Sequence, residues 1–143
     1  MHDPRNGPPT LPYGITLFQD DSGLEYVNIA EGSGRTAGPD DRVRIHWIGW
    51  LAAGTFLEST RPFPEGASGL SISASGEVEK PREVDLGDLT LIPGWRLGIV
   101  GMKEGGRRRL IIPSDLAYGP RGKPPAIPPY STLIYDIELV GVD

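Results

Sequence analysis

The stretch Leu91–Pro113, "LIPGWRLGIVGMKEGGRRRLIIP", decides the fold. Ile92, Trp95, Ile99 and Met102 recur at i, i+3, i+7 and i+10, which places them on one face of a helix. Pro93 suits the first helical position, where its missing N–H is not needed. Gly94, Gly98 and Gly101 each weaken such a helix by about 1 kcal/mol relative to alanine. A helix this weak persists only when packing holds it, so it is expected to lie across a sheet. The Glu104-Gly105-Gly106 turn is expected to end it, and "RRRLIIP" then reads as a strand.

The sheet is legible on either side. In "VRIHWIGWL" Val43, Ile45, Trp47 and Leu51 alternate with Arg44, His46, Ile48 and Trp50, with Gly49 between, which is the period of a strand. Aromatic residues on both faces predict that this strand is partly covered on each side. "LEYVNIAEGSG" gives a short strand closed by a turn, and "GTFLEST" a further extended piece. In "TLIYDIELVGV" Leu133, Tyr135, Ile137 and Leu139 face one way, while Ile134, Asp136, Glu138 and Val140 face the other. The elements together predict a strongly bent antiparallel sheet wrapped on one short helix. Residues 1–22 read as an extended N-terminal arm, polar and proline-rich over its first dozen residues, and 23–143 as one domain. The Ser-, Gly- and Pro-rich segment 61–81 reads as a long surface loop inserted in that domain.

Composition narrows the chemistry. The net charge of −5 argues against nucleic acid, which requires a basic face. The one dense basic run, Arg107-Arg108-Arg109, splits its charge between two strand faces and is expected at a solvated strand edge. With no cysteine, and only His2 and His46 as histidines, no disulfide framework or zinc ligand set is recognisable. His46, mid-strand, reads as a structural, hydrogen-bonded imidazole. No apolar run approaches the roughly 18 residues of a membrane span. The opening "MHDPRNGPPTLPYG" lacks the apolar core of a signal peptide. A cytoplasmic start and an exported chain whose signal has been removed both fit, so localisation stays open. No nucleotide fingerprint or nucleophile motif is present, and no cofactor is expected. Such a chain suits a reaction with little proton transfer and no covalent intermediate, and rotation about a prolyl peptide bond is one.

Four stretches, "VRIHWIGWLAAGTFLEST", "LIPGWRLGIVGMKEGGRRRLIIP", "LAYGPRGKPPAIPP" and "TLIYDIELVGV", carry a resemblance. From about Gly23 to Val142 the chain resembles the FK506-binding-protein (FKBP) family of peptidyl-prolyl cis-trans isomerases. The resemblance implies an α+β fold, a five- or six-stranded antiparallel half-barrel around one short helix, with the long loop as an insertion. It implies a shallow apolar pocket with Trp95 as its floor, and Tyr118 and Glu58 beside Trp95 in the catalytic set. Leu91, Ile92, Ile127, Trp47, Leu57, Tyr135, Arg82 and Lys123 are implied to contact substrate, with the Ile92 N–H and the Tyr118 hydroxyl donating to it. Six of these depart from the usual family residue. Trp47 stands for tyrosine, Leu57 and Tyr135 for phenylalanine, Glu58 for aspartate, Arg82 for an aromatic residue and Lys123 for histidine.

The implied activity is isomerisation of X–Pro bonds in proline-containing polypeptides, assisting their folding, without metal or cofactor. Macrolides of the FK506 type are implied as ligands. A rival reading from another class is an FKBP-fold binding or scaffold module with weak or no isomerase activity, a subunit of a larger complex or a chaperone, whose partner docks on the arm or the 61–81 loop. In "LAYGPRGKPPAIPP" the prolines restrict the backbone before folding, as suits the rim of a site. Ser114 is expected to cap the turn leading to Tyr118.

Overall fold

A computed structural model of the chain describes residues 7–8, 11, 16–60 and 81–143. Most of the N-terminal dozen residues, and all but Pro81 of the 61–81 loop, lie outside the described residues.

Among the described residues, seven antiparallel strands and one α-helix form in the order β1 (Leu17–Gln19), β2 (Glu25–Ala30), β3 (Arg42–Leu51), β4 (Phe56–Ser59), β5 (Arg82–Asp85), α1 (Pro93–Ile99), β6 (Arg107–Ile112) and β7 (Leu133–Val142). Across the sheet they run β1-β2-β6-β7-β3-β4, with β5 pairing the lower half of the same edge of β3 as β4. The sheet is open, and it curves around the helix as the alternation and the single apolar helix face require. Three register shifts help the bend, one on β2 between Asn28 and Ala30, one on β7 opposite Arg44 and Ile45, and one on β4 opposite Gly49 and Trp50. β1 pairs residue for residue with β2, so part of the expected N-terminal arm belongs to the sheet.

The inner face holds the core. Leu133, Tyr135, Ile137 and Leu139 of β7 are buried, and so are Val43 and Ile45 of β3 and Leu110 and Ile112 of β6. Each such aliphatic contributes roughly 1.5–3 kcal/mol on burial. From α1 and the residue turn after it come Trp95, Ile99 and Met102, the face read from the sequence.

Two glycines of α1 have a use beyond their cost. A methyl group at Gly94 would overlap the side chain of Ile112, and one at Gly98 would overlap Leu110. Their absence lets the helix axis settle directly on β6. The helix ends earlier than the Glu104-Gly105-Gly106 turn. Val100 leaves helical geometry and Gly101, at φ +93°, reverses the chain, with its N–H donated to Ala37 O at 2.9 Å.

The arginine run departs from expectation. β6 lies between β2 and β7, so it is an interior strand, and only Arg107 is exposed. Arg108 donates to Asn28 Oδ1 at 2.7 Å and to Gly98 O at 2.9 Å, and its guanidinium lies 4.6 Å from the Tyr26 ring centroid. Arg109 is buried and grips Asp136 on β7 through two bonds of 2.6 and 2.8 Å. The carboxylate across the strand is what admits the charge into the sheet. His46 is buried and its Nδ1 lies 3.0 Å from the Thr60 hydroxyl, a structural position.

Candidate functional site

One end of the inner face gathers aromatic rings. Trp95, in the first turn of α1, is pressed toward the sheet by the close seat of Gly94 and Gly98 on β6. Its ring meets Trp47 of β3 edge-on, with centroids 4.8 Å apart and planes at 70°. It meets Tyr135 of β7 at 5.1 Å and 84°. Such edge-to-face pairs contribute about 0.5–1.5 kcal/mol beyond their burial. Here they set the Trp95 ring edge-on to both Trp47 and Tyr135.

Leu57, Leu91, Ile92 and Tyr118 are partly buried against the same core, and Ile127 is buried in it. These residues come from β4, from the segment leading into α1, and from the loop between β6 and β7. The indole N–H groups of Trp47 and Trp95 are buried without an acceptor among the described residues. An unpaired buried donor costs roughly 1–3 kcal/mol.

Among the described residues neither the Ile92 backbone N–H nor the Tyr118 hydroxyl has a hydrogen-bond acceptor. Ile92 is the residue flanking the helix start, extended at φ −61° and ψ 137°. The Ser114 side chain does not cap the short 3-10 turn at Ser114–Leu116, contrary to expectation. Its carbonyl does the holding instead, accepting from the N–H groups of Ala117 at 3.0 Å and Gly119 at 2.8 Å on either side of Tyr118.

The proline-rich loop is a built rim. Lys123 and Ile127 exchange backbone hydrogen bonds of 2.8 and 3.0 Å, closing a small ring of chain that contains the cis Pro124–Pro125 bond. The Lys123 ammonium stands 5.4 Å from the Tyr118 ring centroid. Glu58, exposed on β4, accepts a hydrogen bond from the Tyr135 hydroxyl at 3.3 Å. Burial, above all, and then the charge of Glu58 and the nearby Tyr118 push the Tyr135 hydroxyl well above the ordinary tyrosine range, so it stays a donor.

Of the eleven residues read from sequence, Trp47, Trp95 and Tyr135 meet ring to ring, Glu58 is bonded to Tyr135, Lys123 lies near the Tyr118 ring, and Leu57, Leu91, Ile92, Tyr118 and Ile127 pack on or in the same core. Arg82 has none of these contacts. It is exposed at the first position of β5, opposite Ile45, whereas Val84 two residues on packs against the core. Strand alternation in "REVDL" was the available signal for Val84. Gly49 was missed because its part is the absence of a side chain. It sits beside Tyr135 in register, and a Cβ there would overlap the tyrosine ring.

Comparison with known proteins places the fold and the family. Residues 33–140 match the family model described as FKBP-type peptidyl-prolyl cis-trans isomerase. The chain is 37% identical over 120 residues to the FK506-binding protein of Neisseria meningitidis serogroup B, covering 84% of this chain and 96% of the relative. It is 39% identical over 119 residues to FK506-binding protein 4 of Dictyostelium discoideum, covering 83% of this chain but spanning only 28% of that longer protein. Among solved structures, FkpA from Escherichia coli superposes with a TM-score of 0.70 at 31% identity, covering 92% of this chain and 53% of that one. The crystal structure of AtFKBP13 superposes with a TM-score of 0.71 at 30% identity, covering 90% and 99%.

Proposed function

The chain belongs to the FKBP-type peptidyl-prolyl cis-trans isomerases, a family of enzymes, and from that membership we propose how its own residues act on an X–Pro bond. The observation that carries the reading is the edge-to-face cluster of Trp47, Trp95 and Tyr135, with donors at Ile92 and Tyr118 that have no acceptor among the described residues.

Amide resonance sets a rotation barrier of about 18–20 kcal/mol. In the twisted transition state the C–N bond loses double-bond character and the carbonyl loses polarity. An apolar box therefore accommodates the twisted amide better than the planar, polar ground state, which is differential binding. The proline ring sits on Trp95, walled by Trp47, Leu57, Tyr135 and Ile127, and water is excluded from the bond. The Ile92 N–H and the Tyr118 hydroxyl hold the substrate chain by its carbonyls while the bond turns. Glu58 orients the substrate from the edge. No group serves as a nucleophile, and no proton has to move.

The substrate class is a proline-containing polypeptide, and an FK506-type macrolide competes for the same box. Among the described residues no helix is long and apolar enough to cross a membrane. The test is a protease-coupled or NMR exchange assay on an X–Pro peptide panel, with Trp95→Leu and Tyr118→Phe alongside. Acceleration by the wild type is expected, with a fall of 10-fold or more for Trp95→Leu and a smaller fall for Tyr118→Phe, on the order of one lost hydrogen bond. A wild-type rate equal to the uncatalysed background defeats the proposal.

A further inference from the structure

Glu58, Gly49 and Tyr135 lie in line across three strands, β4, β3 and β7, for Gly49 is the register partner of both the others. Two residues separated by an intervening strand are about 10 Å apart along the backbone, too far for side chains of ordinary length to meet over a third. Here the middle residue has no side chain. The Tyr135 ring lies over the space a Gly49 Cβ would take, and its hydroxyl reaches the Glu58 carboxylate at 3.3 Å.

The two ends of this contact differ in freedom. The tyrosine is 2% exposed and its ring is braced edge-on against Trp95, so its hydroxyl has one address. Glu58 is exposed, carries three rotatable bonds and, among the described residues, has no other hydrogen-bond or ion-pair partner. A flexible carboxylate is thus met by an immobile donor that burial keeps protonated. Trp47, the neighbouring aromatic on β3, does not take this part, since its N–H has no acceptor among the described residues.

We propose that the Tyr135 hydroxyl is a positioning group for Glu58, selecting the side-chain conformer that keeps the carboxylate at the edge of the pocket, through the gap left by Gly49. The inference rests on the isomerase reading for its consequence in catalysis, though not for the conformer itself. Tyr135 as a whole then has two parts: its ring walls the pocket and its hydroxyl orients a residue beyond the ring.

The decisive experiment pairs kinetics with side-chain NMR on the full chain. Tyr135→Phe keeps the ring and removes the hydroxyl. It is expected to lower kcat/KM by about 3–10-fold, the scale of one hydrogen bond, mostly in kcat. Glu58→Gln is expected to lower it similarly, and the double variant to fall no further than Glu58→Gln alone, because both act through one carboxylate. Three-bond couplings of Glu58 should report one dominant conformer in the wild type and averaging in Tyr135→Phe. Gly49→Ala, which pushes the ring aside, should average Glu58 in the same way. Losses that simply multiply in the double variant, or Glu58 couplings already averaged in the wild type, overturn the inference. A wild type without isomerase activity defeats the isomerase reading instead, and the couplings alone then decide the positioning claim.

Discussion

Gly98→Ala sets two well-defined effects against each other. In an exposed helix interior the change stabilises by up to about 1 kcal/mol, because alanine loses less backbone freedom on folding. At this position the new methyl group would overlap three carbons of the Leu110 side chain, which is fully buried on β6. Inserting a methylene into a packed core costs typically about 1–3 kcal/mol, and Leu110 has no open side to move into. The steric cost wins, leaving a net loss on the order of 1 kcal/mol. For a domain of this size that lowers Tm by roughly 2–5 °C. Because the same helix carries Trp95, the helix is expected to ride outward and isomerase activity to fall with stability. Thermal and urea unfolding of Gly98→Ala measures the first effect, and peptide kinetics at 10 °C, well below Tm, the second. Leu110→Val in the same chain should recover part of the loss by opening room for the methyl. A Gly98→Ala protein with Tm equal to or above the wild type would refute the reasoning, since propensity would then outweigh the contact.

Two further outcomes follow from the polar structure. Arg109 and Asp136 have side chains only 8% and 13% exposed, so Arg109→Ala strands a buried carboxylate and should cost about 3–5 kcal/mol in urea unfolding, whereas the Arg109→Met, Asp136→Leu double variant should lie closer to the wild type than either single change. The carboxylate of Glu104 accepts the backbone N–H groups of Val142 at 2.7 Å and Arg35 at 3.0 Å, which hold its pKa below the ordinary 4.5. A depressed folded-state value contributes stability that is fully present above the unfolded pKa and lost as pH falls through the folded one. Glu104→Gln should therefore make the decline of Tm below about pH 4.5 shallower, and an unchanged acid profile would count against the assignment.

Much of the architecture was legible because burial writes a period into a strand or helix. The alternation Leu133, Tyr135, Ile137, Leu139 needs no partner to be read, and the inner face of β7 follows it residue for residue. Pro93 and the Ile92–Met102 stripe marked the helix and its buried side in the same local way. The composition of the pocket was accessible only through the resemblance, since Trp95 or Tyr135 alone looks like core in any small β domain.

What stayed hidden depends on neighbours distant in the chain. Arg109 looked solvated because its counter-charge, Asp136, arrives from 27 residues away on the adjacent strand. Gly94 and Gly98 looked like helix weaknesses because the side chains they accommodate, Ile112 and Leu110, belong to β6. The contact of Tyr135 with Glu58 spans 77 residues and depends on a side chain that Gly49 lacks. The sequence by itself determined which elements form and which faces they bury, for those follow from local period and propensity. Tertiary structure alone decided which charges are paired, which glycines are contacts and which hydroxyl holds the carboxylate, because each depends on register between strands, and register is a property of the assembled sheet.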